Sequence, residues 1–213
     1  MLLRQRIEQA FAAVWAVSLE DADRVLPRGA APLDVDGKGL LSLVVTRFGR
    51  GTAGPLPIPG YTQLELVVHG RSKKHGHEGP YPLMTRVTPG GASCVLRRVK
   101  YRPTVVRFAP GRVEMPGGRV SVRFEPAPSG AALPVEPAFG HEPVVLVMAK
   151  ETRGYRRTVT GLEWSPVRLV GQPALDPVLA LGFDVGEPTW ALLGGPGEVE
   201  ARLPTRRLAA LAG

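Results

Sequence analysis

A chain of 213 residues with 44% hydrophobic side chains and a formal net charge of +8 can bury one substantial core, or at most two small ones. No apolar run approaches the roughly 18 residues of a membrane-spanning helix, so a helical membrane protein is excluded. The single cysteine, Cys94, permits no intramolecular disulfide, and the apolar stretch 11–17 only reaches the lower limit of a secretory core. A cytoplasmic location is therefore expected.

In chain order, Leu3, Ile7, Ala10, Phe11, Val14 and Trp15 fall at helical spacing and predict an amphipathic helix over 3–15. Ser18 followed by Asp21 predicts the start of a second helix, 19–26, stopped by Pro27 and Gly29. The texture then changes to β-branched and large apolar runs. Strands are expected at 39–48, 61–69, 82–88, 92–100, 104–108, 112–115, 119–124, 143–149, 155–164 and 167–170. A loop with four Gly and three Pro residues is expected at 49–60. Tight-turn chemistry at 89–91, 110–111 and 116–118 predicts an antiparallel meander. Asp176 as N-cap, Pro177 and Gly182 predict one short helix, with another at 205–211. The expected organisation is one domain over 1–213: helices 3–26, a β meander 39–170 and a tail 171–213. The expected fold class is α+β or all-β, with a mostly antiparallel, closed or nearly closed sheet.

Three places carry a resemblance. The segment VSLEDADRVLP (17–27), followed by Asp36-Gly37-Lys38 and the strand 41–45, is similar to the opening helix and first barrel strand of the acetoacetate decarboxylase-like superfamily. Tyr61-Thr62-Gln63 stands where those enzymes have Tyr-x-Glu. RRVKYRPT (97–104) stands where they have Gly-Arg-Glu and, after a few residues, Pro-Lys. In texture the chain is nearer to the uncharacterised bacterial branch than to the decarboxylases. The resemblance implies a cone-like barrel around a small apolar cavity, often assembled into oligomers, so a homo-oligomer is anticipated. It also implies a Schiff-base lysine, and here the chain departs: Thr104 replaces that lysine, Arg98 the acid after the matching arginine Arg97, and Gln63 the glutamate. Threonine cannot form an imine, and an amide is no general acid or base at neutral pH.

The preferred reading is a protein that binds a small organic acid. Arg98, Arg102 or Lys100 would hold the carboxylate, while Tyr61, Gln63 and Glu65 orient its polar groups. Thr104 lies on the strand face of Arg98, Lys100 and Arg102; Val67, Leu96 and Met84 would line the cavity. If the chain is an enzyme, the catalytic candidates are Lys100 as nucleophile and Glu65 as an interior ion-pair or ligand-orienting carboxylate, in a lyase or aldolase acting on a small keto acid; flanking guanidinium groups would lower the amine's pKa. Against that stands a solvated basic edge, since three cations are costly to bury without an anion. Glu65 reads equally as an outward-facing acid. A third reading is a basic nucleic-acid surface, with Tyr101 and Phe108 as stacking platforms; from residue 97 to 123 there are eight basic residues against Glu114 alone. Aromatics are too few and too poorly interleaved with the arginines to favour it. His69, His75, His77 and Glu78 surround a charged loop and not three firm converging ligands, so no metal is expected. No cofactor motif is present either.

Overall fold

The computed structural model describes residues 2–73, 76, 78–88, 102–116, 119–128, 143–148 and 151–202; at 102–103, 143–148, 151–157 and 202 only the backbone is described. The first element is not a helix. β1 (Leu2–Val17) is a strand of 16 residues. Its centre, Ala10 to Trp15, is buried on both sides, and register shifts between Gln5 and Gln9 break the period of two. A doubly covered strand with bulges reads as a continuous apolar run, which periodicity cannot tell from a buried helix. Helix α1 (Leu19–Val25) forms as expected. Ser18 caps it by accepting from the Asp21 amide at 3.0 Å and donating to Asp21 Oδ2 at 2.6 Å.

The strands that follow are β2 (Ala30–Pro32), β3 (Gly39–Ala53), β4 (Leu56–Ile58), β5 (Tyr61–Ser72) and β6 (Glu78–Val87). β3 runs through the glycines expected in a loop. At Gly51 a Cβ would lie 2.3 Å from the Arg4 carbonyl oxygen, so only glycine admits this approach of β1. Next come β7 (Arg102–Pro103), β8 (Arg107–Ala109), β9 (Arg112–Met115) and β10 (Val120–Pro126). The Pro110-Gly111 turn joins β8 to β9 with Gly111 at φ 69°. The remaining strands are β11 (Pro143–Met148), β12 (Glu151–Thr160), β13 (Trp164–Leu169), β14 (Ala174–Leu175), β15 (Trp190–Gly194) and β16 (Gly197–Arg202). Helix α2 (Asp176–Ala180) begins at Asp176, so that residue is its first helical position; Leu175 takes the cap position without a side-chain bond. The segment read as a tail thus supplies two central strands. The helix expected at 205–211 lies outside the described residues.

All strands join one 16-stranded sheet whose main path is β7-β6-β5-β3-β1-β15-β13-β10-β9-β8. The ladders are antiparallel except β6 with β7. β1 is where the sheet forks: Ala10 to Val14 pair with β15, whereas Leu2 to Ile7 pair with β16, which leads on to β12 and β11. The closed form of the expected barrel finds no support in this topology. No ladder closes the path among the described residues, and β11 runs beside β6 without pairing to it. A strand this long takes two successive partners along one edge, so the sheet divides into arms.

One arm folds back on the other to make the core. Phe11 and Trp15 of β1, Leu41 and Val45 of β3, and Leu64, Leu66 and Val68 of β5 meet Phe108, Val113, Val122 and Phe124, with Leu175, Val178 and Phe183 closing one side. Phe11 stacks on Phe124 at 4.6 Å, and Phe124 meets Phe108 edge-on at 6.5 Å. Trp15 donates from Nε1 to the Gly186 carbonyl at 3.0 Å, tying β1 to the chain ahead of β15.

Candidate binding site

The second face of β1, β3 and β5 lies away from that core and has a different composition. By register Ser42, Val44 and Thr46 of β3 stand opposite Val67, Glu65 and Gln63 of β5. On the other side of β5, Thr85 stands opposite Glu65 and Val87 opposite Gln63. β1 contributes Ala10, Ala12 and Val14, small apolar side chains that are all buried. At one end Ile7, Phe48 and Val199 pack with Tyr61 into an apolar plug. At the other end the Ser42 hydroxyl and His69 Nε2 are 2.8 Å apart, both buried. Between the two ends Val44, Thr46, Glu65 and Thr85 are only half-buried although their strands have neighbours on both sides. That residual exposure, in mid-sheet, marks the accessible part of the face.

The polar groups here differ in what they have left to offer. Thr85 Oγ1 donates to Glu65 Oε1 at 3.4 Å, a long bond. Gln63 is 9% exposed, on the same face as Glu65 and registered with Thr46 and Val87. A side-chain amide that can both donate and accept, beside an accessible face, is a ligand-binding candidate. Tyr61 is otherwise engaged: its hydroxyl donates to Gln5 Oε1 at 3.1 Å, and Gln5 Nε2 donates to the Gly49 carbonyl at 3.2 Å. Burial holds the His69 pKa down at about 4, so its imidazole is neutral at pH 7.

The structure brings together Gln63 and Glu65 and places Tyr61 on the same face. Met84 is registered with Leu66 and packs against the aliphatic core, on the opposite side from Glu65. Thr104 follows β7 and donates its amide to the Val87 carbonyl at 2.9 Å; Val87 in turn is registered with Gln63. The end of the basic run therefore shares a sheet with the Tyr61 run, with one strand between them. Arg102 is described by its backbone, while Arg97, Arg98 and Lys100 lie outside the described residues, as do Leu96, Tyr101, His75 and His77. Phe108 is buried in the core and is no base-stacking platform. Among the described residues no group of three or more His, Cys, Asp or Glu could hold a metal, and no helix is long and apolar enough to cross a membrane. Sequence reasoning passed over Thr46, Thr85, Ser42 and Gln5. The available signal was polar residues in phase along apolar strands.

Comparison with solved structures settles the architecture. The enduracididine biosynthesis enzyme MppR with HEPES buffer bound aligns over 96% of this chain and 88% of its own, at a TM-score of 0.59 and 13% identity. The chain has the acetoacetate decarboxylase-like fold. The same enzyme complexed with pyruvate aligns over 95% of this chain and 90% of its own, also at 0.59 and 13%. An acetoacetate decarboxylase-like enzyme from Sphingomonas wittichii RW1 aligns over 94% and 90%, at 0.54 and 12%. No protein-family model and no curated protein matches the chain. At such identities the likeness is one of acetoacetate decarboxylase-like fold alone.

Proposed function

We propose that this acetoacetate decarboxylase-like protein binds a small organic acid on the second face of β1, β3, β5 and β6, without the Schiff-base decarboxylation of its namesakes. The observation that carries the reading is the set Thr46, Glu65 and Thr85, polar and half-buried in the middle of a sheet whose other face is apolar core, with Gln63 buried beside them. Sites for small molecules pair a few such groups with apolar walls, here Ala10, Ala12, Val44 and Val67. Gln63 and Glu65 orient the ligand's polar groups. The carboxylate goes to cations of the run that enters β7, with Arg102, Arg98 and Lys100 as candidates. The bound pyruvate of a structural neighbour supports an acid as ligand. Thr104, following Pro103 where the decarboxylases place their lysine, supports binding without imine chemistry.

Calorimetric titration with a panel of three- to six-carbon monocarboxylates, pyruvate included, tests the proposal. At least one should bind, and Gln63→Leu should weaken it about tenfold, the worth of one or two lost hydrogen bonds in a desolvated site. Borohydride added to the protein with pyruvate or acetoacetate should leave its mass unchanged. A reduced adduct on Lys100 would replace binding with imine chemistry, and absence of binding across the panel would remove the proposal altogether.

A further inference from the structure

The arm made of β8, β9, β10 and β13 has two unlike faces. Phe108, Val113, Val122 and Phe124 turn into the core, so the residues alternating with them form an outer face. Five arginines stand there, Arg107, Arg112, Arg119, Arg123 and Arg168, all exposed, against two carboxylates, Glu114 and Glu125. Arg112 pairs with Glu114 along β9, and Arg168 with Glu125 across β10 and β13. Among the described residues no carboxylate pairs with Arg107, Arg119 or Arg123. Register sharpens the imbalance: Arg112 of β9 stands directly opposite Arg123 of β10. Like charges in that position, with Cβ atoms about 5 Å apart, repel and weaken the ladder. Solubility alone needs no such pair, since interspersed charges of both signs would serve it as well.

The uncompensated charge calls for an anionic partner, and the face limits which one. Its arginines lie on an open strand surface, whereas sites for small molecules are concave. A protein partner would want large apolar anchors at the centre of the contact, and the apolar side chains exposed on the described face, Ala109 and Val170, are small. A nucleic acid needs neither pocket nor anchor. Duplex DNA carries one charge per about 1.7 Å of axis, and counterion release drives its binding to a cationic surface. Guanidinium groups suit it, because their fork donates two hydrogen bonds to one phosphate. Phe108 is buried, and the described face presents no aromatic ring for base stacking, so contact is with the backbone and independent of sequence. We infer that the outer face of β8, β9 and β10 binds the phosphate backbone of duplex nucleic acid through Arg107, Arg112, Arg119 and Arg123. This surface is separate from the acid site on β3 and β5 and does not depend on it.

Fluorescence anisotropy of a short labelled DNA duplex, titrated with the full chain, tests the inference. Contact with three or four phosphates predicts that affinity falls roughly 40- to 150-fold between 50 and 200 mM salt. The paired substitution Arg112→Gln and Arg123→Gln should weaken binding at the lower salt by about tenfold or more and flatten the salt dependence. Arg28→Gln with Lys38→Gln removes the same charge at exposed positions in the links flanking β2, and this variant should bind like the wild type. Neither pair reaches the core, so both variants should keep the wild-type melting temperature. Duplex-induced amide shifts in the wild type, centred on Arg107, Arg112 and Arg123, supply a reading that needs no variant. Absence of duplex binding at 50 mM salt overturns the inference, as do shifts centred elsewhere. An equal loss in both paired variants overturns it too, by reducing the effect to net charge. So does displacement of the duplex by polyglutamate or by phosphatidylserine vesicles at an equal concentration of charge, which would point to an acidic protein or a membrane surface.

Discussion

Phe11→Ala should destabilise the protein by about 3–5 kcal/mol, the range for truncating a fully buried phenylalanine. Phe11 is completely buried at the centre of β1 and stacks on Phe124, which in turn meets Phe108. Those three rings cross from one arm of the sheet to the other, so the loss is both hydrophobic area and the contact that holds the arms together. For a chain of this size the effect corresponds to a fall in melting temperature of roughly 10 °C or more. Leu179→Ala, at a side chain 59% exposed, should change stability by less than about 0.5 kcal/mol. A Phe11→Ala cost near that of the exposed control, measured by urea unfolding, would mean that the arms do not pack through this ladder.

The second large effect is in acid. His69 is buried and its pKa in the folded chain is about 4, against 6.5 for a free imidazole, because burial penalises the charged form. The unfolded chain therefore takes up the proton first as pH falls. Above pH 6.5 the imidazole is neutral in both states and contributes no pH dependence. From 6.5 down to 4 the folded state loses about 1.4 kcal/mol per pH unit, reaching roughly 3 kcal/mol at the bottom of that window. Carboxylates begin to titrate near its lower end, so the clean comparison is between pH 7 and 5, where about 2 kcal/mol should disappear. His69→Gln keeps a hydrogen-bonding group beside Ser42 and has no proton to gain, so its stability should be flatter over that interval. Parallel profiles for the two proteins would place His69 in contact with water, contrary to its 4% exposure.

Much of the fold was legible from local chemistry, and the failures have physical causes. Ser18 with Asp21, the strands around Leu41 to Val45 and Tyr61 to His69, and the Pro110-Gly111 turn each depend on residues close in sequence, so pattern reading finds them. β1 was missed because its partners on both sides and on both faces are remote in the chain: β3, β15 and β16 bury what a two-sided alternation would have left polar. Gly197 to Arg202 gave no strand signal of its own, and its pairing with β1 and β12 supplies what propensity does not. In the site, Gln63 and Glu65 share a face because residues two apart must. Met84 could not be placed that way. The register shift between Leu66 and Val67 decides which side of the sheet it takes, and strand register is a property of pairs. Tyr61 was a fair candidate until Gln5 was brought within 3.1 Å of its hydroxyl by the β1–β3 ladder.

Backbone amide shifts recorded during titration with pyruvate and with 2-hydroxybutyrate test the central claim most directly. Concerted, saturable shifts at Val44, Thr46, Gln63, Glu65 and Thr85, with Val113, Val122 and Arg123 unmoved, are the predicted result. Saturable shifts confined to the β8–β10 arm, or none on β3 and β5 with either acid, would contradict it.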